Sequence, residues 1–274
     1  MKIQLGSADW NLWPISTDYA LIFPIFKRLG ISHLELGIYE PSVELTPAKQ
    51  SRILALAADS GLTITAALFS LTPERWPQGA FSNSDSVFLR ESLYFLDALT
   101  QMKIPAANIW TGADLPNSDL FSTQLTLSTL NRAAEGFPGI VSIEYKADTI
   151  FPDGATLAQY LQPLSRLKVL IDTGHAFALE EDIVHLIGDL HSKNLLGSLH
   201  LGDAVAGDSD ADLPCGRVHD FTPILNKLHS INYQGVASFD LYGAAIDESG
   251  PGPEAILSES HRHLASRLDQ VGND

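Results

Sequence analysis

Short β-branched or apolar runs recur along the chain, at residues 2–5, 33–39, 63–69, 107–110, 140–145, 169–172, 197–201 and 236–241. Their length and residue types predict strands. Between them, residues 50–58, 86–100, 125–135, 181–192 and 221–230 carry apolar side chains at helical spacing. Strand and helix thus alternate eight times, at about 34 residues per repeat. That period predicts an α/β chain folded as a (β/α)8 TIM barrel of right-handed units in a single domain. An open doubly wound sheet fits less well. It would carry a glycine-rich phosphate loop after its first strand, where this chain has Gly6-Ser7-Ala8-Asp9-Trp10. Residues 207–212 and 249–253 read as loops after the seventh and eighth strands.

Composition narrows the function classes. Of 274 residues, 45% are hydrophobic and 18% charged, enough apolar material for a large core and too little charge for disorder. The formal net charge is −16, from 33 acidic against 17 basic side chains with no basic cluster, a surface that repels phosphate backbones. Nucleic acid is therefore not an expected partner. Neither is a membrane, since no run of about 20 apolar residues is present, and Met1-Lys2 leads into Ile3 without an apolar leader. A soluble cytoplasmic protein is the expectation. The sole cysteine, Cys215, has no second thiol for a disulfide or a thiolate metal site and reads as a loop residue.

Barrels of this kind place their chemistry at the carboxyl ends of the strands. Four strands end there in groups that bind cations: Ser142-Ile143-Glu144, Leu170-Ile171-Asp172, Ser198-Leu199-His200 and Ser238-Phe239-Asp240. Alternation sends Val141, Ile143, Leu199, Leu201, Phe239 and Leu241 outward and leaves Glu144, His200 and Asp240 facing the barrel axis. Converging carboxylates repel one another unless a cation sits among them, so Glu144, Asp172, His200 and Asp240 form the candidate metal set. Oxygen donors with one imidazole suit Mn²⁺ first, with Mg²⁺, Co²⁺ or Zn²⁺ as alternatives. Ser142, Ser198 and Ser238 lie two residues earlier on the same face. They either orient the ligands above them or simply suit a tapered barrel. Trp10, Trp13, Tyr39, Phe69 and Trp110 follow the early strands, where they either wall the pocket opposite the metal or pack against helices. Glu35 also points inward by alternation.

Glu144, the Asp172-Thr173-Gly174-His175 element, His200, and Asp240 after Tyr233-Gln234-Gly235 resemble the xylose-isomerase-like barrel superfamily. The likeness covers nearly the whole chain and implies one such barrel over residues 1–274. That superfamily includes ketose epimerases, aldose-ketose isomerases, inosose dehydratase and endonuclease IV. The epimerases usually end the eighth strand in Glu, as ligand and as one of two acid/base carboxylates, where this chain has the shorter Asp240. Glu144-Tyr145-Lys146 is similar to the Glu-x-Lys of rhamnose and xylose isomerases, which implies that Lys146 polarises a substrate oxygen. By the same likeness Asp208 and Asp210, with His175, form a candidate second metal set. The segment Leu213-Pro214-Cys215-Gly216-Arg217-Val218-His219 resembles the superfamily's turn after the seventh strand and offers Arg217 and His219 towards substrate. Rhamnose and xylose isomerases are longer, with terminal segments absent here. Endonuclease IV has zinc-binding histidines after strands three and four, where this chain has Phe69 and Trp110.

The resemblance implies a metal-dependent sugar isomerase or epimerase acting on a small, unphosphorylated ketose or aldose. Glu144, Asp240 and Lys146 are its candidate catalytic residues, and His175, Arg217, Trp10 and Trp110 are its candidate substrate contacts. Either an enediolate formed by proton transfer or a hydride shift would serve. A metal-dependent lyase of the inosose dehydratase kind and a non-catalytic sugar-binding barrel are the alternatives. The expected partner is a small carbohydrate, and a homo-oligomer is compatible with the sequence.

Overall fold

A computed structural model describes residues 3–75, 81, 86–112 and 120–271. Eight parallel strands close into a barrel: β1 Gln4–Ala8, β2 His33–Ile38, β3 Thr63–Phe69, β4 Ala106–Trp110, β5 Ile140–Glu144, β6 Leu167–Asp172, β7 Leu196–Leu201 and, after an inserted hairpin, β10 Val236–Phe239. β10 pairs with both β7 and β1, which closes the cylinder. The hairpin is antiparallel, β8 Asp203–Val205 against β9 Asp208–Leu213. Helices α1 Tyr19–Arg28, α2 Pro41–Glu44, α3 Pro47–Ser60, α4 Ser86–Met102, α5 Leu120–Ala134, α6 Gly154–Leu161, α7 Thr173–Ala178, α8 Ile183–Ser192, α9 Thr222–Ser230, α10 Tyr242–Ile246 and α11 Pro253–Val271 lie between and after the strands. No helix of the described residues is long and apolar enough to cross a membrane.

The expected alternation of strand and helix is observed, with two displacements. β1 begins two residues later than expected and runs through Gly6, Ser7 and Ala8. The acidic stretch read as a loop after β7 is instead strand β9. Asp, Ser and Gly have poor strand propensity, so nothing in its composition announces a ladder.

Local signals fix the helix ends. Asp18, Asp153 and Asp182 accept backbone N–H bonds at the starts of α1, α6 and α8, each replacing a partner that the first turn lacks. Gly61 ends α3 in the left-handed conformation at φ 68°, returning its N–H to the carbonyls of Ala57 and Ala58.

Outward residues such as Leu34, Leu36, Val141, Ile143, Val169, Ile171, Leu199 and Phe239 are buried against the helices, together with Phe23, Phe26, Phe88 and Phe95. Each such side chain contributes roughly 1.5–3 kcal/mol by leaving water. Inside the barrel the composition changes: Glu35, Asn108, Ser142, Ser198, His200 and Ser238 are all buried there. Such barrels usually fill this space with branched apolar residues. A polar interior is tolerable where its groups bond one another, and most of these do, with Asn108 Oδ1 and His200 Nδ1 the exceptions among them. Asn108 donates to Glu35 at 2.7 Å, His200 donates to Glu35 at 3.0 Å, and the Ser142 and Ser198 hydroxyls lie 3.3 Å apart.

Candidate metal centre

Strand register sets the centre. Asp172 on β6 pairs with His200 on β7, and His200 with Ser238 on β10, so three strand ends arrive at one level. Asp172 is also the cap of α7: its Oδ1 accepts from the N–H groups of Gly174 at 2.7 Å and His175 at 3.1 Å. Its Oδ2 stays clear of the cap and lies 3.8 Å from His200 Nδ1. The cap thus occupies one carboxylate oxygen and leaves the other facing the cluster.

His200 is fully buried. An ionised Glu35 can only accept, so Nε2 of the imidazole carries a hydrogen, and Nδ1 faces the cluster, where loss of its proton would free a lone pair for a cation. That Nδ1 is buried without a hydrogen-bond partner, 3.5 Å from Asp240 Oδ2. Asp240 follows β10 rather than ending it, and its Oδ1 accepts from Trp10 Nε1 at 2.8 Å. Glu144 ends β5, with its Oε1 3.5 Å from His175 Nδ1, a nitrogen also 3.1 Å from the Tyr145 carbonyl.

The donors form two triads that share a residue, Asp172 with His200 and Asp240, and Asp172 with Glu144 and His175, each with one atom per residue within 4.8 Å of the others. The electrostatics of the ion-free protein are strained. Burial pushes the Glu144 carboxyl up to about 7, and Asp172 and Asp240 add to the shift while His175 and His200 oppose it. Burial likewise raises Asp240, with Asp172 adding to it against the pull of His200 and the Trp10 bond. Burial would lower His200, but Glu35, Glu144 and Asp240 hold it well above the usual imidazole range. Glu35 runs the other way: burial favours its neutral form, yet the charge of His200 and bonds from His200, Asn108 and Ser238 keep it below the usual carboxylate range. An imidazole nitrogen without a hydrogen-bond partner, in a buried cluster where Glu144 and Asp240 resist ionisation, is the donor set a divalent cation satisfies, so the residues present fit a metal.

A cleft of about 420 Å³ opens over this cluster. Trp10, Trp13, Ile38, Tyr39, Leu68, Ser70 and Trp110, from the first four strands and the segments after them, line it together with Glu144, Lys146, His175, Asp210, Asp212 and Asp240 from the later ones. The aromatic wall depends on Gly37, where an added Cβ would come within 2.8 Å of the Trp13 ring and 3.0 Å of the Trp10 ring. Trp13 lies 6.5 Å from Trp10 and 5.6 Å from Tyr39 between ring centroids.

The structure thus brings Glu144, Asp172, His175, His200 and Asp240 together, with Trp10, Trp110 and Lys146 at the cleft. Lys146 is ion-paired with Asp210, and its Nζ lies 5.9 Å from the centre of the Trp110 ring. The second metal set is not assembled. Asp208 is exposed and outside the cleft, Asp210 is held by Lys146, and the groupings of the described residues that could hold an ion join His175 to Glu144 and Asp172 instead. Arg217 is a correction of another kind: it forms a two-pronged pair with Glu259 of α11, at 2.8 and 2.9 Å, on the outside of the barrel. His219 bonds the buried Asp203 and stacks on Phe177 at 3.9 Å, so it shapes the turn rather than the cleft. Phe69 packs against Phe88 and Phe95 and does not reach the cleft. Ser142 and Ser198 bond each other, while Ser238 bonds Glu35 and through it bears on His200.

Asp212 is the cleft residue that sequence reasoning passed over. Its Oδ2 accepts from Gly243 N–H at 2.8 Å, its backbone sits at φ 40°, and burial beside Asp240 and Asp172 raises its carboxyl well above the usual range. Alternation puts Asp208, Asp210 and Asp212 on one face of β9. The strand runs back towards the barrel, where Leu213 pairs with Asp203, so the last of the three lies deepest.

Residues 23–267 match the family described as the xylose isomerase-like TIM barrel. The chain belongs to that family. No curated protein matches it in sequence. Among solved structures, this xylose isomerase-like barrel superposes on the 3-keto-D-glucoside 4-epimerase of E. coli with a TM-score of 0.74, 17% identity and coverage of 97% of this chain and 100% of that one. It also superposes on D-allulose 3-epimerase from Methylomonas sp., with a TM-score of 0.76, 13% identity and coverage of 97% and 98%. A xylose isomerase domain protein from Alicyclobacillus acidocaldarius gives 0.77, 14% identity and coverage of 99% and 100%. At these identities the likeness is one of fold.

Proposed function

We propose that this xylose isomerase-like barrel is a divalent-metal-dependent isomerase or epimerase of a small, unphosphorylated sugar. The observation that carries the reading is the buried Nδ1 of His200, which has no hydrogen-bond partner and faces Asp172 and Asp240 beneath a cleft with one aromatic wall. Sugar epimerases among the structural neighbours support the reaction class. Asp172, His200 and Asp240, with Glu144 beside them, would hold the ion, Mn²⁺ by preference for this donor set. When bound, the ion supplies Lewis acidity that makes a hydrogen beside a sugar carbonyl easier to remove.

The chain's own groups do the rest. Glu144 faces the cleft from the end of β5 and takes the proton from the carbon next to the carbonyl. Its return to the former carbonyl carbon, with the adjacent hydroxyl's proton passing to the carbonyl oxygen, gives an isomer. Delivery to the same carbon from the opposite face, by Asp240, gives an epimer. Trp10 fixes which oxygen of Asp240 faces the cluster, and Lys146 reaches the cleft to polarise a substrate oxygen. Lys146 is the one Lys or Arg among the described lining residues, and Asp210 already neutralises it, so a phosphate would find no free cation.

The test is metal analysis of the purified protein followed by a screen of ketoses and aldoses in ²H₂O. Bound Mn²⁺, turnover and deuterium in the product are expected, with Glu144→Gln lowering turnover by about 10³-fold or more while the fold persists. Near-normal turnover by that variant would refute the assignment of the base.

A further inference from the structure

We propose that Asp9 is a positioning residue for the substrate: by holding Gly37, it seats the two tryptophans that wall the cleft. The inference takes its substrate from the isomerase or epimerase reading above and adds a residue which that reading does not use.

Asp9 lies one residue past the end of β1, at the start of a 3-10 turn over Asp9–Leu12. β1 pairs with β2 only as far as Ala8 opposite Glu35. Two residues further along β2, Gly37 directs its N–H to a place that the neighbouring strand has already left. A buried N–H without a partner there would cost as much as a lost hydrogen bond. The Asp9 side chain stands in for the strand, its Oδ1 accepting from Gly37 N at 2.9 Å. With that bond made, the chain can leave the sheet and fold Trp10 and Trp13 back over Gly37, so closely that an added Cβ would meet the rings at 3.0 and 2.8 Å.

Asp9 is fully buried, and its Oδ2 has no hydrogen-bond partner. An apolar side chain would fill the space at lower cost, so what the carboxyl contributes is the bond made by its other oxygen. Burial pushes the carboxyl well above the usual range; the Gly37 N–H and the Tyr19 hydroxyl oppose the shift, while Glu44 and Glu35 add to it. No cation is among these groups. A neutral acceptor therefore suffices, and an amide of the same shape can imitate it. The two tryptophans are tethered unequally. Trp10 also donates to Asp240 at 2.8 Å, whereas Trp13 rests on ring contacts with Trp10 and Tyr39. Loss of the Asp9 bond should displace Trp13 first, and so reach the substrate before the ion.

The experiment uses the full chain loaded with Mn²⁺ and a ketose that the parent converts. Asp9→Leu is expected to raise KM about tenfold, with kcat within about threefold and Mn²⁺ content unchanged. Asp9→Asn, which keeps an oxygen for Gly37, should hold KM within about threefold of the parent. Hydrogen exchange at the Gly37 amide and tryptophan emission follow the seating directly: faster exchange and a red shift in Asp9→Leu, neither in Asp9→Asn. Should the leucine variant not fold, Asp9→Ala gives the same measurements without the extra volume. An unchanged KM, a raised KM that Asp9→Asn shares, or a fall in kcat or Mn²⁺ content as large as the change in KM overturns the inference. Failure of both Asp9→Leu and Asp9→Ala to fold does so too, since Asp9 would then serve the fold alone. A parent that binds no Mn²⁺ or converts no ketose overturns the reaction reading instead, and exchange and emission then decide the seating by themselves.

Discussion

Residues at the ends of β5, β6, β7 and β10 face the cleft with carboxylates and imidazoles, whereas those following β1 to β4 face it with tryptophan, tyrosine and aliphatic side chains. The two halves are held in place by different forces. On the acidic side, each group is oriented by a directed bond: Asp172 by the backbone of α7, His200 by Glu35, Asp240 by Trp10. On the aromatic side, position comes from contact, with Trp10 and Trp13 seated over the missing side chain of Gly37. Directed bonds fix charge and tautomer, while contact fixes shape. Affinity for the ion and grip on the substrate should therefore respond to different substitutions. Trp10 belongs to both halves, bonded to Asp240 through its nitrogen and edge-on to His200 at 5.8 Å.

The strongest way to break the acidic half without touching a candidate ligand is Glu35→Gln. The substitution keeps the volume but removes the charge that orients His200 and favours its Nε2–H form, and it unsettles the bond from Asn108. Mn²⁺ affinity should fall about 10–100-fold, read by titration calorimetry, with the tryptophan fluorescence of the aromatic half unchanged. Unaltered affinity would mean that Glu35 fills the barrel without steering the imidazole.

Proton linkage sharpens the same contrast. The Glu144 carboxyl, pushed up to about 7 in the ion-free protein from 4.5, binds its proton more tightly folded than unfolded. Its contribution to stability is complete below about 4.5 and is lost as the pH rises through about 7. His200, raised above the usual imidazole range, acts in the same direction at higher pH. The Tm of the ion-free protein should therefore fall between pH 5 and pH 8, and saturating Mn²⁺ should flatten or invert that slope, because the ion favours the ionised carboxylates. A thermal melt series with and without Mn²⁺ decides it. The aromatic half contributes nothing to this dependence.

Much of this arrangement was legible in the residues, and the reasons are physical. Strand ends could be read because period-two alternation and a carboxyl-end rim leave few places for Glu144, Asp172 and His200 to go. Lys146 was legible for the same reason, two residues past Glu144. What escaped depended on contacts between distant segments. Arg217 follows a turn, and nothing local says that Glu259, 42 residues on, will claim it. From the acidic stretch beyond β7 the sequence reading took Asp208 and Asp210 and passed over Asp212, and only the hairpin's return to the barrel ranks the three by depth. The hydroxyls of Ser142, Ser198 and Ser238 were placed on the inward face, but the pairing of Ser142 with Ser198 and of Ser238 with Glu35 is a matter of register.

A smaller effect is expected from Gly37→Ala, which attacks the aromatic half alone. The added Cβ would sit 2.8 Å from the Trp13 ring, and neither the strand nor the packed indoles can yield freely. Overpacking of this kind costs about 1–3 kcal/mol, measurable as a lower denaturant midpoint. Displacing the wall should raise KM more than it lowers kcat, with Mn²⁺ content intact. If Mn²⁺ were lost instead, the two halves would be coupled through Trp10 more tightly than their separate supports imply.

The smallest effect should come from Arg217→Ala. The guanidinium meets Glu259 in good two-pronged geometry, but the side chains are 50% and 40% exposed, and solvent screens most of the attraction. Exposed pairs contribute about 0–1 kcal/mol, so the variant should melt within a degree or two of the parent and convert sugar at the parent rate. The same substitution would cost catalysis heavily if Arg217 swung from α11 into the cleft when substrate binds, since it would then bring a second cation to a site whose one lysine is already paired. A loss of kcat/KM beyond about tenfold, with unchanged stability, would show that motion and would make the cleft's preference for neutral sugars a property of its empty form alone.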